Sequence, residues 1–301
     1  AGAVALGLFF VCMEGTIMRI LLGAAGGKSG LLTCISYSFL GFFYSGITPS
    51  ATGGQPMQLY EMKRDGNSVS SSTVVLMVTA VCYKLVLVCI GTFLLIFQGK
   101  MLRQYLGRYF GLYLLGLFLN LAITLVVTGM IVLPQWIIAG ANIFDRLFVK
   151  LNLWKASESA GRQEKVRCFV QEYHRAVLFL KEHPGRLAAA FLLTFVQRNS
   201  AFVITWLVYC GMGIFGTNLW SVVFLQAAVT LAVDMLPVPG AQGITELVYR
   251  SAFAQIFIGG TLPVSMIVSR AASFYVPMAV GLATVLWRMA RKAGKSLPET
   301  P

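Results

Sequence analysis

Seven apolar runs recur along the chain, near residues 1–22, 31–47, 72–97, 110–133, 187–213, 217–236 and 262–287, and this repetition restricts the fold more than any motif does. Crossing the hydrocarbon of a bilayer takes about 20 apolar residues of helix. Backbone at that depth must pair its own N–H and C=O groups, which leaves helices and closed barrels as the alternatives. Runs this long belong to helices. Composition agrees: 57% of residues are hydrophobic and 12% charged, with a mean hydropathy of +0.76, where soluble domains carry about 25% charged residues. The expected fold class is all-α, a polytopic membrane helix bundle of about seven or eight spans. The first run opens on Ala1 without a Met or a basic leader. Further residues, an additional helix among them, are therefore expected upstream.

The net charge of +13 raises nucleic acid as a partner. Most basic residues, however, lie in loops between apolar runs, where the positive-inside bias of membrane proteins places them, so no nucleic-acid partner is expected. Cys12, Cys34, Cys82, Cys89, Cys168 and Cys210 show neither CxxC nor Cys/His ligand spacing. No disulfide framework, metal site or cofactor follows from them. The segment “GAAGGKSG” at 23–30 resembles a phosphate loop, but the pattern needs glycine where Leu22 stands. It reads as a short loop between two helices, with Lys28 at the interface.

One polar segment divides the chain. Residues 150–186 carry Lys150, Lys155, Arg162, Lys165, Arg167, Arg175, Lys181 and Arg186 against Glu158, Glu164, Glu172 and Glu182, which marks the segment as cytoplasmic. Within it Val166, Phe169, Val170, Tyr173, Val177 and Leu180 recur at helical spacing, predicting an amphipathic helix on the membrane or against the bundle. His174 and His183 read as surface residues. The expected organisation is a first membrane repeat over 1–141 with a broken element near 48–60, a basic amphipathic connector over 142–186, a second repeat over 187–290 with a broken element near 236–250, and a polar tail over 291–301.

Those broken elements carry the functional reading. “GITPSATGGQPMQLYEMKRDG” (46–66) and “DMLPVPGAQGITELVYRS” (234–251) each follow an apolar run, open with proline and pass through glycines and polar side chains. Setting Pro49 on Pro237 with one gap brings Gly54 onto Gly243 and Tyr60 onto Tyr249. Each break is followed, some twenty residues on, by a basic residue inside an apolar run, Lys84 and Arg270. Non-helical backbone survives at membrane depth when it faces protein or a watery cavity, and paired Gly/Pro interruptions point to a transporter's binding site. The expectation is two membrane-embedded breaks, near 48–58 and 236–245, facing one polar cavity. Pro49, Gly53, Gly54, Pro237, Pro239, Gly240 and Gly243 are the backbone residues of those breaks, the glycines serving left-handed or close-packed positions. The alternative is a pair of ordinary extramembrane loops.

Charge sharpens the case. Lys84, Arg198 and Arg270 fall within predicted spans, while Asp234, Glu246 and Arg250 flank the second break. Each charge at the bilayer centre costs about 2.5–3.5 kcal/mol, so such groups are paired or line a functional cavity. An anionic guest such as a phosphate would compensate the basic excess. Internal salt bridges of Asp234 or Glu246 with Arg270 or Arg198, and of Glu14 with Arg19, are the competing account. Gln55 and Gln58 complete the candidate substrate-binding set. No HxxxD, HExxH or GxSxG pattern supplies a nucleophile and base, so no catalytic residue is assigned.

The segments “TPSATGGQPMQLYEMKRDG”, “LPVPGAQGITE” and “SRAASFYVPMAVG” resemble the membrane region of the lysylphosphatidylglycerol synthase/flippase family, the multiple peptide resistance factor, over residues 1 to about 290. The resemblance implies movement of aminoacylated anionic phospholipid such as lysyl-phosphatidylglycerol between the leaflets of a bacterial cytoplasmic membrane, with protection against cationic antimicrobial peptides. Complementary charge then has Lys84, Arg198 and Arg270 attract the phosphate of such a lipid while Glu246 and Asp234 receive a cationic or hydroxylated headgroup. A separate synthase protein and a second copy of the chain are the further partners the resemblance suggests. Many relatives carry an acid after the paired glycines, where this chain has Gln55 and Pro56. The synthase of that family is a separate soluble domain, so this chain is expected not to be an enzyme even where a lysyltransferase label travels with the family name. An integral-membrane lipid enzyme, or a membrane partner of a synthase, is the alternative. Topology stays open: if neither break crosses the bilayer, Arg288, Arg291, Lys292 and Lys295 fall opposite the basic connector, and if the second does, Lys100, Arg103 and Arg108 remain outside.

Overall fold

The computed structural model describes residues 1–133, 135–151, 159–236, 238–257 and 260–295. Pro237, Lys155 and Glu158 lie outside the described residues. The described chain is all-helical, in the order α1 (Gly2–Ala24), α2 (Leu31–Ile47), α3 (Gly54–Arg64), α4 (Val69–Phe97), α5 (Gly99–Leu106), α6 (Phe110–Val132), α7 (Gln135–Lys150), α8 (Ser159–Lys181), α9 (Pro184–Gly211), α10 (Leu219–Val233), α11 (Ile244–Phe253), α12 (Thr261–Arg270) and α13 (Val276–Lys295). A π-helical turn over Ala271–Tyr275 joins α12 to α13 into one apolar rod.

Among the described residues, five helical stretches are long and apolar enough to cross a membrane: Gly2–Ala24, Val69–Phe97, Gly99–Val132, Pro184–Gly211 and Thr261–Arg291. The apolar runs at 31–47 and 217–236 instead form shorter helices of 17 and 15 residues. Both are halves of helical hairpins. α3 runs back along α2, because Asn67 Nδ2 donates to Ser29 Oγ at 2.8 Å and Gln58 Nε2 donates to the Tyr37 carbonyl at 3.3 Å. Close approach explains the glycines there: a Cβ on Gly54 would lie 2.0 Å from Ser45 Oγ and 2.7 Å from the Gly41 carbonyl oxygen. α11 packs back against α10, and its Ser251 Oγ donates to the Leu106 carbonyl of α5 at 3.3 Å.

The hairpins reach in from opposite ends of the bundle. α4 gives the ruler: its start packs with α3 and α8, where Ser70 Oγ donates to Glu172 at 3.0 Å, and its far end adjoins α5. The α2–α3 hairpin opens at the Val69 end and the α10–α11 hairpin at the Phe97 end. Their turns, Pro49–Ala51 and Pro239–Ala241, touch each other. Gly46 and Gly240 both lie against Phe274. Gly240 (φ +57°) and Gly243 (φ +81°) adopt the left-handed backbone expected of them. Gly53 keeps right-handed backbone, and the positive φ of the first turn falls on Ala51.

The core separates into two apolar clusters along α4. Val74, Val75 and Val78 join Ile17, Leu21, Tyr37, Met62 and Tyr173 at one end. Leu87 and Leu94 join Leu106, Tyr209, Val222 and Phe253 at the other. The apolar stripe of the connector is thereby placed: Val170, Tyr173, Val177 and Leu180 are buried on the bundle. Basic residues collect at the Val69 end, which also receives α8 and Arg288, the latter bonded to Asp65. The connector and the C-terminal basic residues therefore share one end, one of the two arrangements left open above, with Lys100, Arg103 and Arg108 at the other.

Candidate functional site

Between the two apolar clusters lies a layer of charge. Glu14, Lys84 and Arg198 sit near the midpoints of α1, α4 and α9. α10 ends at Asp234, and that carboxylate takes Lys84 Nζ at 2.5 Å and accepts the Tyr83 hydroxyl. Arg270 Nε donates to Glu246 Oε1 at 3.0 Å, and its Nη2 donates to the Gly240 carbonyl at 3.1 Å, fixing the second turn. Lys84 and Arg270 are thus neutralised by the acids flanking the break: Arg270–Glu246 is one of the salt bridges of the competing account, and Lys84 takes Asp234 where that account had Arg270 or Arg198.

Arg198 differs. Its guanidinium lies 3.7 Å from the Tyr83 ring centroid and 4.4 Å from that of Phe10, an aromatic sandwich that holds a cation without neutralising it. It forms no ion pair among the described residues, and its Nε is buried without a hydrogen-bond partner. Its compensation in charge comes from the fields of Glu14, whose Oε1 accepts from Gln58 Nε2 at 3.2 Å, and of Asp234. Glu14 turns to this layer instead of pairing with Arg19. Three basic groups therefore face three acids at mid-depth, and the expected positive excess is absent. The sequence reading missed this because Glu14 lies far from either break.

A cavity of about 310 Å³ opens in this layer. Arg198, Asp234, Glu246 and Arg270 line it together with Tyr83 and Phe274. Glu246 Oε2 and Ser269 Oγ are buried without hydrogen-bond partners, as Arg198 Nε is. Both turns contribute to the wall, through Ala51 on one side and Val238, Gly240 and Ala241 on the other. Four candidates stay outside it: Lys84, which reaches Asp234 from behind, Gln55, Gln58 and Arg250. α3 buries the stripe Gly54, Gln58, Glu61 and Met62, leaving Gln55 exposed about 100° away. Arg250 is likewise exposed, beside the buried Val248 and Tyr249 of α11. Gln58 is buried against Glu14 and α2 and does not line the cavity. Pro49 and Pro239 begin the two turns without contributing a polar group.

A second charged cluster was not legible from spacing. Arg288, taken as part of a basic tail, is 6% exposed on α13. Its Nε donates to Glu61 at 2.5 Å, Nη2 to Asp65 at 2.5 Å and Nη1 to Ser36 Oγ at 2.7 Å. The available signal was the i,i+4 spacing of Glu61 and Asp65, which puts both carboxylates on one face of α3. Burial raises the Asp65 carboxyl, but hydrogen bonds from Arg288 and Tyr37 and the charges of Arg288 and Arg64 outweigh it and hold it below the ordinary value. A carboxylate depressed on folding contributes stability above its unfolded range and loses it as pH falls. In detergent, thermal unfolding should therefore drop as pH is lowered below about 4. Asp65→Asn should be less stable at neutral pH and show a flatter acid limb; an unchanged limb would count against this role.

Relatives bear on the same architecture. In the curated UPF0104 membrane protein of Pyrococcus horikoshii, 258 residues align at 26% identity, covering 82% of this chain and 74% of that protein. No solved structure matches the chain. Residues 1–281, which contain both hairpins and the mid-depth charges, match the family described as the lysylphosphatidylglycerol synthase TM region. This multi-pass membrane chain belongs to the lysylphosphatidylglycerol synthase transmembrane-region family.

Proposed function

We propose that the chain translocates an anionic phospholipid, in plain or aminoacylated form, between bilayer leaflets. The observation that carries this reading is the charged cavity at the meeting point of two hairpins reaching in from opposite ends. Both hairpins are taken as re-entrant, related as inverted halves, each stopping near mid-depth. Inverted pairs of broken helices around a midplane site are the architecture of alternating access. The basic Val69 end is cytoplasmic by the positive-inside bias, with the Phe97 end outside. Arg198 receives the phosphate, since it is held by aromatic faces and keeps an unpartnered buried N–H. Asp234 and Glu246 exchange Lys84 and Arg270 for the polar or ammonium part of the headgroup. Tail groups remain in lipid, so the modest cavity volume suits a headgroup alone.

In a bacterial cytoplasmic membrane such transport would carry lysyl-phosphatidylglycerol outward and blunt attack by cationic peptides. Aminoacyl transfer itself is assigned to a separate synthase. The test is reconstitution in liposomes with fluorescent phosphatidylglycerol and lysyl-phosphatidylglycerol. Wild-type chain should equilibrate label between leaflets, and Arg198→Gln should slow this severalfold while inserting normally, because removing a buried charge lowers the insertion cost. Equal rates with protein-free vesicles would overturn the reading. Formation of aminoacyl lipid from aminoacyl-tRNA by the purified chain would favour the enzyme instead.

A further inference from the structure

Of the three acids in the mid-depth layer, Glu14 is the one that the transport reading leaves without a role. Among the described residues it forms no ion pair, and its carboxylate takes a single hydrogen bond, from Gln58. The groups that face it come from the helices around α1. Arg198 of α9 supplies the field of a cation, and Tyr83 of α4 lies beside it next to Lys84, whose Nζ is held by Asp234. Tyr37 of α2 turns its hydroxyl to Asp65, Arg288 of α13 binds the α3 acids, and α8 and the π-helical turn bring no charge to Glu14.

A row of polar side chains leads from Glu14 to the Val69 end. Gln58, Glu61 and Asp65 share one face of α3 and its C-cap. Gln58 Nε2 donates to Glu14 Oε1 at 3.2 Å and to the Tyr37 carbonyl at 3.3 Å. A Cβ on Gly41 would lie 2.1 Å from that nitrogen, so α2 carries glycine where the amide passes. Glu61 and Asp65 follow, both bonded to Arg288. Asp65 and Arg288 then line a cavity of about 1090 Å³ between the α1–α2 and α3–α4 loops. The row thus begins at a mid-depth carboxylate and ends in a wide cavity among loops.

We propose that Glu14 is a proton-binding site supplied from the Val69 end, and that it takes a proton when a net-anionic headgroup engages Arg198. The second half rests on the transport reading and the first does not. Lys84, Arg198 and Arg270 face Asp234, Glu246 and Glu14, so the charges of the layer sum to zero. A phosphate that draws Arg198 to itself removes the one cation whose field compensates Glu14 and leaves the layer a charge too negative. An O–H bond formed on the Glu14 carboxylate, with a proton from water at the Val69 end, restores the balance. When the phosphate leaves, that bond breaks and the proton returns to water. A headgroup that carries its own ammonium brings the compensating charge with it and needs no proton.

Infrared difference spectroscopy of the full chain in an uncharged detergent, without lipid, reads the proton site. Lowering the pH over the range in which the protein stays folded should raise the carbonyl band of a protonated carboxylic acid that Glu14→Gln lacks and Glu14→Asp shows at a shifted frequency. Liposomes read the coupling. Wild-type movement of phosphatidylglycerol should quicken by up to about tenfold per pH unit as pH falls. Movement of lysyl-phosphatidylglycerol should change much less, and Glu14→Gln should move phosphatidylglycerol at a rate indifferent to pH. An infrared titration unaltered by Glu14→Gln, or phosphatidylglycerol movement in that variant as pH-dependent as in wild type, would overturn the proposal. If neither protein moves lipid, the transport reading falls, and the infrared band still decides whether Glu14 exchanges protons.

Discussion

Arg288→Gln is expected to destabilise the protein by about 3–5 kcal/mol, the cost of leaving buried carboxylates without their cation. The guanidinium holds three helices at once: α13 on which it sits, α3 through Glu61 and Asp65, and α2 through Ser36. It also lies 5.2 Å from the Tyr37 ring centroid. Glutamine can satisfy one oxygen but neither charge. Arg64 still compensates part of Glu61, which places the effect toward the lower limit of that range. Arg288→Lys keeps the charge but not the forked geometry, and should recover a fraction of the loss. Thermal unfolding of the three proteins in detergent measures this. Near-identical unfolding of Arg288→Gln and wild type would mean that the cluster is held by packing alone.

Much of this architecture could be read from pattern because membrane insertion leaves a strong imprint on sequence. Five long helices follow directly from apolar runs, since hydrocarbon tolerates few alternatives. The Gly/Pro interruptions identified both turns, and Gly240 and Gly243 occupy the left-handed positions that single out glycine. Length was the weaker guide. A 17-residue apolar run such as Leu31–Ile47 meets the minimum for a span, and the returning α3 is too polar for hydropathy to reveal that the pair folds back on itself.

Partner choice was harder still. The acids that neutralise Lys84 and Arg270 were among those flanking the second break, but 150 residues separate Lys84 from Asp234 and no periodicity links them. Glu14 and Arg288 escaped for the same reason: α1 reaches the charge layer through packing against α9, and Arg288 finds α3 across 227 residues. Local pattern predicts which groups need partners at depth. Tertiary packing decides which partner each one gets.

That distinction sets the last prediction. Arg270→Gln should cost about 1–3 kcal/mol, because it strands Glu246, whose Oε2 already lacks a partner, and releases the Gly240 carbonyl at the tip of the second hairpin. The guanidinium also sits 5.0 Å from the Phe274 ring centroid, against which Gly46 of α2 and Gly240 of the second turn lie, so its loss loosens the contact between hairpins. Glu246→Gln alone should be comparably destabilising, leaving Arg270 as an uncompensated cation. In the double variant two amides replace the ion pair and most of that coupling should return, as a double-mutant cycle reads it. Transport should behave differently. If the pair opens to take up a headgroup, the double variant is stable yet translocates lipid poorly, since neither charge is left to exchange partners. Restored stability together with wild-type transport would reduce Arg270–Glu246 to a strut and leave Arg198 and Asp234 as the proposed charged contacts for the lipid. Measuring unfolding and transport on the same four proteins separates the two roles.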